Sequence, residues 1–394
     1  MRGAARAHNF VIVVVMDGMM QKPIPALFMR GGTSRGPFFL ESDLPADTAA
    51  RDRVLLAVMG SPDKRQIDGL GGAHPLTSKV GIVRPGTAPG VDLEFLFAQL
   101  QPESDKVDTT PNCGNMLAAV VPFALERGLI QARGDFTTAR VLTRNTGMLC
   151  DITVSTPAAP DGARAVAYEG QAHIDGVPGH AAPITINFLD TAGSVCSGLL
   201  PTGRARDTVH VEPPAGADFA AFDIEVTCID NGMPLVLLRA QDVGCTGQET
   251  PAQLNADKAL KARIEALRLQ TGQLMGLGDV SGRNYPKMTL ISAPRAGGAV
   301  NTRSFIPHVC HEAIGVLAAV TVGTACVLED SVTQGVARLP QGARKAVSIE
   351  HPSGEFTVEL ELDPQDPQKV ARAALLRTAR LIMRGDVMVP AAAF

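Results

Sequence analysis

From Ile24 onward, short runs of alternating apolar and polar residues are separated by turn signals. Gly81-Ile-Val-Arg84 and Val91-Asp-Leu-Glu-Phe-Leu-Phe97 follow period two, which predicts antiparallel-type strands. Ala46 to Met59 carries apolar residues at helical spacing and stops at Gly60, and Ala256 to Met275 is charged, Ala/Leu-rich and followed by Gly276. Both predict amphipathic surface helices. Gly114 to Arg127 and His311 to Leu328 are apolar nearly all round, which predicts buried helices. Val370 to Met383 has the composition of a helix, although Phe356-Thr-Val-Glu-Leu-Glu-Leu362 before it alternates cleanly as a strand.

Each buried helix follows a cysteine, Cys113 or Cys310, and a proline-containing approach, Pro111-Asn112 or Pro307-His308-Val309. The two cysteines are 310 - 113 = 197 residues apart, half of the 394-residue chain. The spacing predicts an internal duplication, with two domains that each wrap strands around a central helix and present its N-terminus to a shared cleft. Length agrees, because single cores stop growing beyond about 250–300 residues. The expected division is 21–205 and 206–394, with the last strand able to rejoin the first domain. Residues 1–20 are set apart. Phe10-Val-Ile-Val-Val-Val-Met16 follows Arg2 and Arg6 but is far shorter than the roughly 20 residues that span a bilayer, and Asp17-Gly18 interrupts it. These residues are expected to be an extension outside the fold.

Composition narrows the function classes. With 45% hydrophobic and 19% charged residues and a net charge of -4, the chain is neither disordered nor a basic nucleic-acid binder. The lack of Trp and the presence of 2 Tyr argue against a base-stacking platform, which leaves small molecules as the expected partners. Seven cysteines without a C-x-x-C pair make a disulfide framework or zinc knot a poor fit and point to a reducing cytoplasm. His308 and His311 lack a partner at ligand spacing beyond Glu312, so no metal is expected.

Two segments concentrate candidate chemistry. Gln66-Ile-Asp-Gly-Leu-Gly-Gly-Ala-His-Pro-Leu-Thr-Ser-Lys79 is neither a dinucleotide fingerprint nor a P-loop. It reads as a glycine-permitted tight loop that delivers Lys79 to the edge of the apolar strand Val80-Gly-Ile-Val83. It is otherwise an ordinary loop ending in a solvated lysine. A lysine entering apolar surroundings loses solvation of its charged form and can serve as a general base. Pro111-Asn-Cys-Gly-Asn115 stands at the mouth of the first buried helix. A thiol there sits beside unpaired N–H groups and the positive end of the helix dipole, and Gly114 allows a ligand close to the backbone. The alternative is a buried structural cysteine. Arg30-Gly-Gly-Thr-Ser-Arg35, Arg303-Ser304 and Cys310-His311 supply cations and hydroxyls suited to carboxylates.

Met29-Arg-Gly-Gly-Thr-Ser-Arg-Gly36, Gly60-Ser-Pro-Asp63, Gln66 to Gly72, Leu76-Thr-Ser-Lys-Val80, Asn112-Cys-Gly-Asn115, Cys228-Ile-Asp-Asn-Gly-Met-Pro234 and Leu376-Arg-Thr-Ala-Arg380 occur in this order. Together they resemble the 4-oxalomesaconate tautomerase family, within the wider group that holds 2-methylaconitate cis-trans isomerase and 3-methylitaconate isomerase. Arg35 departs from the pattern, since lysine is expected there at least as often. The resemblance implies an α+β, diaminopimelate-epimerase-like fold of two similar domains, each an antiparallel barrel-like sheet around a central helix. It also makes the segment after Val370 a strand. It further implies a cytoplasmic, cofactor-free and metal-free isomerase of a keto tricarboxylate in gallate or protocatechuate degradation, a homodimer without nucleic-acid or membrane partners. Lys79 and Cys113 are the expected catalytic pair. Thr33, Ser34, Arg35, Gly72, Ser78, Asn112, Gly114, Asn115, Arg303, Cys310 and His311 are the expected substrate-binding residues. The alternatives are methylaconitate or methylitaconate as substrate, a thiol hydrolase acting through Cys113, or a non-catalytic tricarboxylate binder.

Overall fold

The computed structural model describes residues 21–394 apart from 190 and 366–369. The N-terminal extension expected at 1–20 lies outside the described residues. Among the described residues six α-helices stand between the strands: α1 (Thr48–Met59), α2 (Gly114–Leu117), α3 (Val120–Glu126), α4 (Pro251–Ala256), α5 (Lys258–Leu274) and α6 (Val316–Val327).

One sheet runs through the molecule, and its pairing order occurs twice. In the first run, Gln21–Gly31 pairs antiparallel with Ser34–Leu40, which lies parallel to Lys79–Pro85. Lys79–Pro85 pairs antiparallel with Leu93–Leu100, itself parallel to Phe136–Thr143. Antiparallel pairs to Met148–Ser155 and Ile184–Phe188 complete it. The second run repeats this sequence of pairings strand for strand through Phe222–Asp230, Pro234–Arg239, Lys287–Ser292, Val300–Phe305, Arg344–His351, Gly354–Leu362 and Val370–Arg377. The two runs join where their last strands, Ile184–Phe188 and Val370–Arg377, pair antiparallel. Asp207–Val211 flanks the first strand of the second run, and the C-terminal strand Ala379–Pro390 returns to flank Gln21–Gly31. The segment from Val370 is thus strand, against its helical composition, because both its edges are paired.

Parallel neighbours need a long crossover, and the helices provide all four. α1 and the α4–α5 pair cross outside the sheet. Val54, Leu55 and Val58 of α1 pack on Phe39, Val80 and Ile82, while Leu260, Ile264 and Leu267 of α5 pack on Val236, Leu238, Met288 and Leu290. α2–α3 and α6 cross inside, and both lie in a single central core with Met29, Phe38, Phe95, Val300, Val347 and Leu375. Every residue from Ala318 to Cys326 is buried, as an all-round apolar helix requires. Covered on both faces, Lys79–Pro85 and Leu93–Leu100 are buried almost throughout instead of alternating. Among the described residues no helix is long and apolar enough to cross a membrane.

The helix limits differ from the sequence reading for local reasons. Pro122 has no N–H to bond the carbonyl of Ala118, and the expected helix from Gly114 is interrupted at residues 118–119. The second central helix starts at Val316, not His311. The His311 Nδ1 accepts the Ala313 N–H in a local turn, and Gly315 is extended as the N-cap. The outer helices begin where caps allow: Asp47 accepts from the Ala50 N–H, and Thr250 with Gln253 forms a capping box.

Gly36 sets the closest approach between the first parallel pair, since a Cβ there would overlap the Lys79 carbonyl oxygen. Gly36→Ala should therefore lower stability by about 2 kcal/mol or more, read as a reduced urea midpoint by circular dichroism. An unchanged midpoint would refute this packing.

Candidate active site

The two inner helices meet head to head. A Cβ on Gly114, the first residue of α2, would stand 2.8 Å from Val316 Cγ2, on the first residue of α6. The caps are Cys113 and Gly315. Neither cap supplies a side-chain hydrogen bond, and neither first turn holds an acidic residue. Two positive helix ends with unpaired N–H groups thus face one joint, an arrangement suited to an anion.

Residues of the first run build one side of this joint. The turn between Gln21–Gly31 and Ser34–Leu40 packs on α2, where Gly32 has φ +52° and Asn115 occupies the place a Cβ would take, two separate reasons for glycine. Asn115 Nδ2 donates to Thr33 Oγ1 at 2.9 Å. Asn112 Nδ2 donates to Thr143 and Thr146, and Asn145 ties Phe97 to Thr109, so the approach to Cys113 is fastened to the neighbouring hairpin. Ser34 Oγ, Asn112 Oδ1 and Asn115 Oδ1 are buried without a hydrogen-bond partner among the described residues. Buried polar atoms are nearly always paired, so three such atoms in residues expected to bind substrate mark a place for a ligand.

Lys79 opens its strand 7% exposed. Its Nζ donates to Gln99 Oε1 at 2.5 Å and lies 4.8 Å from the Phe97 ring centre. The preceding loop wraps on the buried Gln66, whose amide holds Ser61, the Ala73 N–H and Ser78 Oγ. Ser78 is thereby spent on the loop. Gly72 packs against Thr77 and the Arg35 guanidinium. Thr33, Ser34 and Arg35 also line a cleft of about 530 Å³ with Arg30, Arg380 and His180; Lys79 and Cys113 do not line it. The segment leading to Ile184 closes over this region and touches both runs, with Gly176 on Thr33 and Asp175 on Gly354.

The second run contributes differently from expectation. Cys310 does not stand at the helix mouth. It packs in the outer core beneath α5, its N–H donates to Asn255, and burial pushes its thiol up to about 11. Gly315 takes the position equivalent to Cys113, and the repeat offset is 315 - 113 = 202 instead of 197. Arg303 lies beside Cys310 and is engaged by the Glu249 carbonyl, the Thr302 carbonyl and Asn301 Oδ1. His311 is exposed, held in a local turn by the Ala313 N–H, and within electrostatic range of His351.

Two buried or half-buried residues around Phe356 escaped the pattern reading. Arg377 ends the junction strand 4% exposed, 3.9 Å over the Phe356 ring, with its Nε unpartnered. It interacts with Glu355 and with Cys113, and burial lowers it to about 9, so it stays cationic at neutral pH. Its signal was the Leu376-Arg-Thr-Ala-Arg380 block, which carried the resemblance without suggesting a role. His351, 5.6 Å from the same ring, had no sequence signal.

The chain belongs to the PrpF family, matched as "PrpF protein" over residues 21–390. It is 54% identical over 371 residues to the 4-oxalomesaconate tautomerase of Pseudomonas putida, covering 94% of this chain and 97% of that one. It is equally 54% identical over 365 residues to the (4E)-oxalomesaconate Delta-isomerase of a Novosphingobium species, covering 93% and 97%. A crystal structure of methylitaconate-delta-isomerase superposes with a TM-score of 0.80 at 34% identity, covering 95% of this chain and 97% of that one. The expected α+β fold of two similar halves, each around a central helix, stands, but each half's sheet is mixed, with two parallel pairs where an antiparallel sheet was expected, because long helical crossovers join those strands.

Burial, which outweighs the opposing Glu355 backbone bond and Asp175, holds His351 at about 4, below the roughly 6.5 of a free imidazole. Between these values the unfolded chain binds a proton that the folded one does not, so stability should fall as pH drops from about 6.5 to about 4. His351→Gln should flatten that limb of a plot of urea midpoint against pH. An unaltered limb would show that His351 does not contribute.

Proposed function

We propose that this chain is a cofactor-independent isomerase of 4-oxalomesaconate that shifts a proton and a double bond across three carbons. The observation that carries the reading is the joint itself: Cys113 at the uncapped start of α2 where it meets the uncapped start of α6, the unpartnered atoms of Asn112 and Asn115 close to it in the chain, the unpartnered Ser34 Oγ beyond the turn that packs on α2, and the buried Arg377 guanidinium within electrostatic range of Cys113. The names and 54% identity of the two oxalomesaconate relatives support the substrate.

Carboxylates of the keto tricarboxylate accept from the helix N–H groups, Ser34 Oγ and Arg377. Thr33, Arg35, Asn112, Gly114, Asn115 and His311 complete the surround. Lys79, acting as an amine, removes a proton from the carbon activated by the adjacent unsaturation and carbonyl groups. The electron pair enters the conjugated system to form a dienolate. Cys113 donates its thiol proton to the far carbon, the double bond settles in its new place, and ammonium and thiolate re-equilibrate with water. Donors already aimed at the developing negative charge lower the barrier without reorganisation. Arg303, Cys310, Gly72 and Ser78 shape the surrounding framework in this scheme. We further assign the enzyme to gallate or protocatechuate breakdown, as a homodimer in the cytoplasm, with its two units divided near residues 205–206.

In deuterated water, Lys79→Met should lose solvent exchange at one allylic carbon of the substrate and Cys113→Ser at the other; loss of both signals in both variants would refute the division of labour. A direct ultraviolet assay should show 4-oxalomesaconate converted at least about tenfold faster than 2-methylaconitate or 3-methylitaconate. Preference for either of those would move the assignment to it, an acyl-enzyme trapped on Cys113 would indicate a hydrolase, and binding without turnover a carrier.

A further inference from the structure

The repeated pairing order gives each feature of the first helix mouth a counterpart at the second. Gly32, at φ +52°, packs on Asn115, the second residue of α2; Gly232, at φ +88°, packs on Leu317, the second residue of α6. Lys79 is the first residue of the third strand of its run, and Lys287 is the first residue of the third strand of the other. Val80 and Ile82 join the outer core of the first run, as Met288 and Leu290 join that of the second. Alternation therefore turns both lysines to the inner face, toward the central helices.

The surroundings of the two lysines differ. Lys79 is paired across the sheet with Gln99, which accepts from it. The pairing with the neighbouring strand begins at Met288↔Phe305, and extending that register by one residue would place Ile306, whose side chain cannot accept a hydrogen bond, opposite Lys287. Lys287 has no ion pair or side-chain hydrogen bond among the described residues, and its Nζ lies 3.7 Å from where a Cβ on Gly315 would stand. Gly315 caps α6, and the next residue, Val316, meets Gly114 beside Cys113. Burial lowers the Lys287 pKa, the cost of holding a cation there without a counter-charge.

We propose that Lys287 is a substrate-binding residue that holds one carboxylate of the substrate against the uncapped N-terminus of α6. It is the second run's version of Lys79, converted from proton transfer to charge recognition. The thiol that would complete a proton-transfer pair is replaced by Gly315, and no side-chain acceptor restrains the ammonium. A substrate carboxylate supplies the missing partner, while the α6 N–H groups share its charge. The assignment rests on the isomerase reading above.

With 4-oxalomesaconate and the full chain, Lys287→Met should raise KM by at least about tenfold, in keeping with a charged hydrogen bond, and leave kcat within about threefold. Lys287→Arg should recover most of the loss. Calorimetry with tricarballylate, a saturated tricarboxylate, needs no turnover and should show the same weakening in Lys287→Met. An unchanged KM and tricarballylate affinity, a loss in kcat at constant KM, or an Arg variant as poor as Met with an unaltered melting temperature would each overturn the assignment. A wild type that leaves 4-oxalomesaconate unconverted would instead overturn the substrate reading, and the tricarballylate comparison would still decide the role of Lys287.

Discussion

The structure turns on the head-to-head contact of Gly114 and Val316. Two helix N-termini, each carrying partial positive charge and unpaired N–H groups, are brought together with no capping side chain and no first-turn carboxylate to offset them. Their mutual repulsion is tolerated because both helices are locked in one apolar core and cannot withdraw. Arg377, within electrostatic range of Cys113, and Lys287 beside Gly315 add further positive charge to the same joint. A bound polyanion relieves all of these at once, so the core that holds the helices in place also creates the affinity.

Duplication supplies the geometry, and its imperfections supply the chemistry. Equivalent positions at the two mouths hold Cys113 and Gly315, Asn115 and Leu317, Gln99 and Ile306. A symmetric site would present the same groups to both ends of a ligand. An allylic shift needs different work at its two ends, and a tricarboxylate needs its charges held while one segment of it reacts. The polar first run and the plainer second run, with Arg377 reaching across from the junction strand, divide those tasks.

Much of this was legible from local pattern. Period-two runs marked strands such as Leu93–Leu100, and all-round apolar stretches marked the two central helices, because burial on every side leaves no polar face to place. The loop ending in Lys79 and the turn at Cys113 were singled out by residue type and spacing. The error at Cys310 is instructive: proline, cysteine and an apolar run looked like a copy of the first helix mouth, yet a turn closed by the Phe305–Cys310 bridge and by His311 delays the helix to Val316. Arg303 looked available as a carboxylate ligand because one of its acceptors, the Glu249 carbonyl, is 54 residues away and reaches it only through the fold, where it joins the adjacent Asn301 Oδ1 and Thr302 carbonyl.

By itself the sequence determined the class of fold, the presence of two buried helices, the membership signalled by ordered motif blocks, and Lys79 and Cys113 as candidates. These depend on residue type, short-range periodicity and order along the chain. Tertiary structure alone decided that Gly315 stands where Cys310 was expected, that Arg377 comes within electrostatic range of Cys113, and that Lys287 mirrors Lys79. Each of those facts depends on strand register across the sheet and on the way the two runs face one another. A one-residue change of register would turn either lysine away from the helices, and because both strands are buried on both faces their local pattern alternates too little to fix that register.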